Sequence, residues 1–148
     1  MISRTAEYAL RAMTFLAVAP ETARTVREIH QTTKVPEGYL SKVMQALTRA
    51  GLVRSQRGLH GGFTLAHDPR KLSILEVVNA VDPVQRIHSC PLELPTHGED
   101  LCPMHRRLDD AAAMVEKAFA DSTLAELLEE PSKSRPLCDF PAGLGGRD

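Results

Sequence analysis

Apolar residues recur at steps of three and four over the first fifty positions, which is the spacing of amphipathic helices. The segment MISRTAEYALRAMTFLAV predicts a first helix that Pro20 ends. Thr25 and Glu28 form the capping-box pattern that begins a short second helix. A third helix follows in VPEGYLSKVMQALTRAG, where Pro36 fits the first turn and Gly51 the C-terminal cap. The second and third helices are therefore joined by a short turn.

The period changes to two after the third helix, which predicts strands. The apolar residues at 52 and 53 open one short strand, and Phe63 and Leu65 close another across a glycine-rich loop. A hairpin in this place is a wing. Its glycines allow a tight turn and close approach to a partner, and Arg54 and Arg57 put positive charge beside it. Taken alone, the stretch also fits an ordinary flexible hairpin.

Helical spacing returns in the second half. Ser73 and Glu76 give a capping-box pattern to SILEVVNAVD, a fourth helix expected to pack on the first. Residues 83–102 have no period, and they predict a cysteine-containing loop with a sensing role. Residues 103–130 predict a long helix and a short final helix capped by Ser122 or Thr123. Residues 131–148, rich in Pro, Gly and Ser, predict a disordered tail.

The long helix carries an apolar stripe with few partners in the sequence. The stripe consists of Met104, Leu108, Ala111, Val115 and Phe119. A monomer of this size is not expected to cover it, so the pattern predicts a dimerisation helix and a homodimer. A helix packed on its own domain is the alternative.

Charge divides the chain in a way that its formal net charge of −1 conceals. Residues 1–72 carry 11 Lys and Arg against 5 Asp and Glu, whereas residues 73–148 carry 7 against 14. The basic half suits a polyanion, and the acidic half suits solvent, protein contacts or a cation. Charges interrupt the N-terminal apolar residues and no apolar run could span a bilayer, so we expect a cytoplasmic protein without a membrane segment.

These patterns predict a mainly α fold, with a winged helix-turn-helix over residues 1–82 and a long C-terminal dimerisation helix. In such a fold the third helix enters the major groove of double-stranded DNA. The residues that we expect to face the groove are Glu37, Gly38, Tyr39, Ser41, Lys42 and Gln45. Arg57 would enter the minor groove, and phosphate contacts would fall to Arg4, Arg54 and Thr25. A dimer would require a palindromic operator.

The chain resembles the Rrf2 family of winged-helix transcription regulators, of the IscR- and NsrR-like type, over about residues 1–130. The matching motifs are TAEYALRAM, VPEGYLSKVMQALTRAGLVRSQRGLHGGFTL, SILEVVNAVD and C-x11-C-x2-H, the last formed by Cys90, Cys102 and His105. The resemblance implies a homodimer with long crossed helices and a minor-groove arginine at Arg57. It also implies a repressor that responds to redox state, iron–sulfur supply or nitric oxide, in many members through a [2Fe-2S] or [4Fe-4S] cluster.

The cysteine loop departs from the family pattern. Relatives that bind a cluster carry a further cysteine near residue 96, where this chain has Thr96 followed by His97. The family also takes a ligand from the partner's first helix, at an acidic position that Glu7 occupies here. The implied set of cluster ligands is therefore Cys90 and Cys102, one of the histidines His97 and His105, and Glu7.

Other interpretations of the loop stay open. Cys90 and Cys102 form a thiol pair that can oxidise to a disulfide, or that can bind zinc together with His97 and His105. A loop that keeps no cofactor is a further alternative. A small redox or metal-handling enzyme is not expected, because the chain has no nucleophile elbow, phosphate loop or HExxH helix. Cys138 lies in the tail, and the sequence assigns it no role.

Overall fold

The computed structural model describes residues 2–96 and 100–131. The predicted order of elements is confirmed, and their bounds are α1 (Arg4–Val18), α2 (Val26–Thr33), α3 (Glu37–Arg49), β1 (Val53–Gln56), β2 (Gly62–Leu65), α4 (Ile74–Val81), α5 (Pro103–Ala120) and α6 (Leu124–Glu129). His97 and Cys138, and the predicted disordered tail beyond residue 131, lie outside the described residues.

Side-chain caps begin four of the six described helices. Ser3 accepts a hydrogen bond from the amide of Ala6 at the start of α1. Both predicted capping boxes, at Thr25 and Ser73, are confirmed, and a third forms at Thr123 before α6. Each cap satisfies amides that have no partner inside the helix, so local sequence fixes where these helices begin.

The turn between α2 and α3 is tight. Lys34 adopts a left-handed conformation (φ 60°) and ends α2. Val35 is fully buried, and its carbonyl lies 2.8 Å from Nδ1 of His30. Pro36 occupies the N-cap of α3, one position before the predicted first turn. The turn is thus anchored to the core, and it fixes the direction in which α3 leaves it.

The main core lies between α1 and α3. The apolar stripe of α3 is buried, and it contains Leu40, Val43, Met44 and Leu47. Met13 and Leu16 of α1 join the same cluster, as does Leu124 of α6. Burial of this stripe leaves the opposite face of α3 in solvent.

Strands β1 and β2 form an antiparallel hairpin in which Val53 pairs with Leu65 and Gln56 with Gly62. A third segment supports the hairpin, because the backbones of Arg24 and Phe63 exchange two hydrogen bonds of 2.9 and 2.7 Å. The connection before α2 therefore holds β2 in place.

The last three helices return to the first. α4 packs on α1 as predicted, and α5 packs on α4. α6 then packs on α1, while the amide of Leu124 donates to the carbonyl of Leu72 at 3.0 Å. The fold is mainly helical with one small hairpin, in the order of a winged helix. Within the described ranges, no helix is both long and apolar enough to cross a membrane.

Candidate nucleic-acid interface

The solvent face of α3 is polar along its length. All six residues predicted to face a DNA groove are exposed there: Glu37, Gly38, Tyr39, Ser41, Lys42 and Gln45. The hydroxyl of Ser41 donates to the carbonyl of Glu37 at 3.2 Å, which leaves its lone pairs as acceptors. Nothing lies within 4 Å of a Cβ built on Gly38, so the backbone is open to a partner at that point.

Tyr39, at the start of α3, is held by an aromatic and charged network on α1. Its ring meets the ring of Tyr8 edge to face, with centroids 5.6 Å apart. The guanidinium of Arg11 lies 5.7 Å from the Tyr8 centroid, and it is paired with the carboxylate of Glu7 at 2.6 Å. Arg11 also donates to the carbonyl of Thr33 at 3.2 Å. The network links α1 and the end of α2 to the first turn of α3.

Thr25, which is predicted to contact phosphate, has both its amide and its hydroxyl engaged with Glu28. The Thr25 amide donates to the Glu28 carboxylate at 2.8 Å, and its hydroxyl serves the capping box. The hydrogen bond from the backbone amide of Thr25 is the main cause that lowers the pKa of Glu28. This carboxylate therefore carries a negative charge at the N-terminus of α2. The role of Thr25 in phosphate binding stays a prediction.

The wing extends beyond the core and carries exposed basic side chains. Arg54 lies on β1, and one of its guanidinium nitrogens is 3.5 Å from the carbonyl of Ala66. Arg57 lies at the start of the tip and is exposed, as is Arg4 at the N-terminus of α1. Glu37 is the one acidic residue of α3 and the wing, which carry Lys42, Arg49, Arg54 and Arg57 as basic residues.

The structure brings together two of the residues predicted to bind a cofactor. Cys102 is the N-cap of α5, and its sulfur lies 3.4 Å from Nδ1 of His105, which is buried. Cys90 is buried in the loop, and it is not disulfide-bonded to Cys102. Among residues 2–96 and 100–131, no three or more His, Cys, Asp or Glu side chains are grouped to hold a metal ion. Glu7 is engaged with Arg11 within its own chain.

An ionic cluster fastens the start of the loop to α5. Arg86 donates to both carboxylate oxygens of Asp109, at 2.7 and 2.8 Å, and to Glu116 at 2.8 Å. The amide of Ile87 adds a further bond to Asp109 at 2.8 Å. The Arg86 guanidinium, followed by this amide, holds the pKa of Asp109 well below its usual range, so the pair stays charged at any ordinary pH.

Four residues that contribute to these sites had no signal in the sequence. Arg24 pairs with the wing through its backbone, which leaves no side-chain signal. Tyr8 and Arg11 lie on the half-buried side of α1, where the helical period assigns them no role beyond spacing. Arg86 finds its partners more than twenty residues away, and only the charge pattern of α5 could have suggested them.

Comparison with known proteins agrees with this geometry. The Rrf2 family, described as iron-dependent transcriptional regulators, matches residues 2–130. A protein of Aquifex aeolicus (strain VF5) named as an HTH-type transcriptional regulator is 28% identical over 136 residues, which cover 90% of this chain and 94% of that protein.

Solved structures show the same fold. CymR of B. subtilis, titled the global cysteine regulator, superposes with a TM-score of 0.72 at 25% identity, over 89% of this chain and 98% of its own. IscR of T. potens superposes with a TM-score of 0.72 at 22% identity, over 90% of this chain and 93% of its own. At this identity the similarity supports the fold alone. The oxidised form of S. aureus CymR gives 0.67 at 25% identity, over 89% and 98%. The family match covers nearly all described residues, and the exposed polar face of α3 and the wing agree with it. The chain therefore belongs to the Rrf2 family, whose members are transcriptional regulators and not enzymes.

Proposed function

We propose that this protein is a homodimeric repressor of transcription that binds a palindromic operator in double-stranded DNA. The observation that carries the proposal is the solvent face of α3, where all six predicted groove-facing residues are exposed beside a basic wing. Lys42 and Gln45 offer donors to base edges, and Arg57 offers a cation to the minor groove. A protein with this role works in the cytoplasm, where the DNA is.

The dimer is supported by the apolar face of α5. This helix of 18 residues, all of them described, buries only His105 within its own chain. Met104, Leu108 and Met114 are 59%, 55% and 68% exposed, and Val115 lies beside them at 40%. Several exposed apolar side chains on one helix favour a protein partner. A second α5 is the partner of matching chemistry, and twofold pairing would place two α3 helices on one side of the assembly.

The input signal is proposed to enter through the loop that holds Cys90 and Cys102. Two thiols and the imidazole of His105 are donors that iron or zinc accept, but one chain does not assemble a full set among its described residues. Completion of a cluster site would need Glu7 of a second subunit, and zinc would need His97 of the same loop. Thiol oxidation of Cys90 and Cys102 is the second candidate for the input signal, and the contact of Cys102 with His105 favours it.

Communication with DNA is proposed to run through Glu7. Its ion pair with Arg11 supports Tyr8 and, through Tyr8, the Tyr39 ring on α3. Loss of this pair would loosen the first turn of α3 while the core stays intact. A coupling free energy of about 1–3 kcal/mol between the two sites changes DNA affinity by about 5- to 150-fold.

Selection of bound duplexes from a random-sequence pool tests the DNA-binding proposal. We expect palindromic sites, and binding to them should weaken steeply between about 50 and 200 mM salt. The variant Lys42→Ala should weaken binding by about five- to a hundredfold if it contacts a base edge. Lys117→Ala is the matched control, since that lysine lies on α5, in the acidic half of the chain, and pairs with Asp121. Equal binding of both variants would contradict the assignment of α3.

Anaerobic purification tests the input signal separately. A cluster gives coloured protein that contains iron, and Cys102→Ser should bleach it. Colourless protein that gains a disulfide between Cys90 and Cys102 on mild oxidation, with a change in DNA affinity, would support thiol sensing and reject the cluster. Equal DNA affinity of reduced, oxidised and metal-loaded protein would reject both.

A further inference from the structure

The tip of the wing presents a leucine to solvent. Leu59 is 95% exposed, which is more than any other large apolar side chain among the described residues. The amide of Gly61 donates to the carbonyl of Gly58 at 3.0 Å, and it closes a turn whose two central residues are Leu59 and His60. Side chains at the centre of such a turn point away from the hairpin. An apolar side chain in this place gains nothing from the protein's own fold.

The tip that carries Leu59 has a fixed shape. A Cβ on Gly61 would lie 2.7 Å from the carbonyl oxygen of Gln56, and one on Gly62 would lie 2.5 Å from that of Arg24. Gly58 and Gly62 both have positive φ, at 108° and 140°. Glycine is therefore required for this close packing, and the turn is held against β1 and the segment before α2. Leu59 projects from an anchored support, so little order has to be gained when it binds.

The surroundings of Leu59 are basic. Arg57 precedes it by two residues, His60 follows it, and no acidic residue occurs between Glu37 and residue 68. A protein or lipid surface would be met here by an apolar patch of several residues, whereas the tip offers one leucine two residues from the cation of Arg57. Minor-groove proteins combine a basic side chain with an apolar wedge that enters a base step. The tip has this combination.

We propose that Leu59 enters the minor groove next to Arg57 and wedges into a base step, partly unstacking it. The inference rests on the proposed DNA binding and adds a determinant of operator choice to it. Steps that unstack easily, such as TA and CA/TG, would be preferred under the wing, although Leu59 makes no hydrogen bond to a base. The two side chains would select different properties of the DNA. Leu59 would favour base steps that deform easily, and Arg57 would favour a minor groove with a strongly negative potential.

The test compares Leu59→Ala, Leu59→Met and Arg57→Ala in the full chain, on the duplex selected by the unmodified protein. A fluorescent adenine analogue replaces an adenine at each step under the wing in turn, and its emission reports unstacking. We expect Leu59→Ala to weaken binding by about tenfold with an unchanged salt dependence, because it removes apolar contact only. Arg57→Ala should instead reduce the slope of log affinity against log salt by about 1.

Emission should rise at one step with the unmodified protein, stay low with Leu59→Ala, and recover with Leu59→Met, which restores an apolar side chain of similar reach. Since Leu59 is outside the core, the unmodified protein, Leu59→Ala and Leu59→Met should have the same thermal unfolding temperature. Binding of Leu59→Ala within twofold of the parent, or emission that does not depend on residue 59, would overturn the wedge and leave DNA binding intact. Failure to select any duplex would instead overturn the proposed function.

Discussion

Helices α3 and α5 have similar amphipathic patterns, yet they place their apolar stripes in opposite environments. α3 buries Leu40, Val43, Met44 and Leu47 against α1, and it shows solvent a polar face. α5 packs on α4 but leaves Leu108 and most of its stripe exposed. In each helix, the face that the core leaves uncovered indicates the kind of partner that the helix would bind. A polar face left over by the core suits nucleic acid, and an apolar face left over suits another protein chain.

The largest expected effect comes from shortening a side chain in the buried apolar stripe of α3. Leu47→Ala removes a side chain that is fully buried between α3 and α1, and it should lower the free energy of unfolding by about 2–5 kcal/mol. Leu108→Ala makes the same chemical change on the exposed stripe of α5. It should alter the unfolding of the isolated subunit by less than about 0.5 kcal/mol, as measured in urea at low protein concentration. Similar losses for both variants would remove the contrast.

Charge on the uncovered stripe should break self-association. The double variant Leu108→Glu/Val115→Glu places carboxylates where an apolar partner surface is expected, and the dimer dissociation constant should rise by at least about a hundredfold. Sedimentation equilibrium measures it. Lys117→Glu, on the opposite side of α5, adds similar charge and should leave association unchanged. A parent protein that stays monomeric at every concentration measured would contradict the dimer.

Two glycines of the wing also differ in whether the surrounding structure covers them. A Cβ on Gly62 meets the backbone of Arg24 at 2.5 Å, whereas one on Gly58 meets nothing within 4 Å, although both have positive φ. Gly62→Ala should therefore lower the free energy of unfolding by about 1–3 kcal/mol and speed hydrogen exchange at the amide of Phe63. Gly58→Ala should lower it by only about 1 kcal/mol. Equal losses would mean that the wing is not anchored at Arg24.

Gly38 offers the opposite outcome, because it lies on the uncovered face of α3. Gly38→Ala should raise the free energy of unfolding by about 0.5–1 kcal/mol, since alanine is the better helix former and meets no neighbour. The same methyl group should weaken binding to the selected duplex if the backbone of α3 approaches the groove closely. Paired chemical-unfolding and DNA titrations measure the two effects, and tighter binding would exclude close approach at this position.

The smallest effect concerns the ionic cluster that holds the loop to α5. The pKa of Asp109 is lower in the folded chain than in the unfolded chain, so its contribution to stability is complete above the ordinary carboxyl pKa of about 3.9. That contribution declines as the pH falls below this value toward the folded pKa. Asp109→Asn should therefore unfold with a weaker dependence on pH than the parent between about pH 4 and 2. Identical pH profiles would show that the cluster adds nothing.

Much of the fold could be predicted because its signals are local. Capping boxes, the glycines of the wing and the spacing of the α3 stripe lie within a few residues of one another, and each was found where expected. Exposure of the groove-facing residues followed from the same spacing. The Arg24–Phe63 pairing and the Arg86–Asp109 cluster could not be found in this way, because they join segments that are distant in sequence and have no period. The ligand set proposed around Cys90 and Cys102 would be completed by a second subunit, and no pattern in the sequence describes how two subunits would meet.

The return of α6 to α1 has a consequence for how the chain is made. Leu124 fills space in the cluster that surrounds Met13 and Leu16, so the beginning of the polypeptide lacks part of its interior until α6 has been synthesised. A fragment that stops after the fourth helix would keep every residue proposed to meet DNA and still expose an unfilled groove along α1. Binding to the proposed operator would thus depend on residues that are synthesised well after those that contact it.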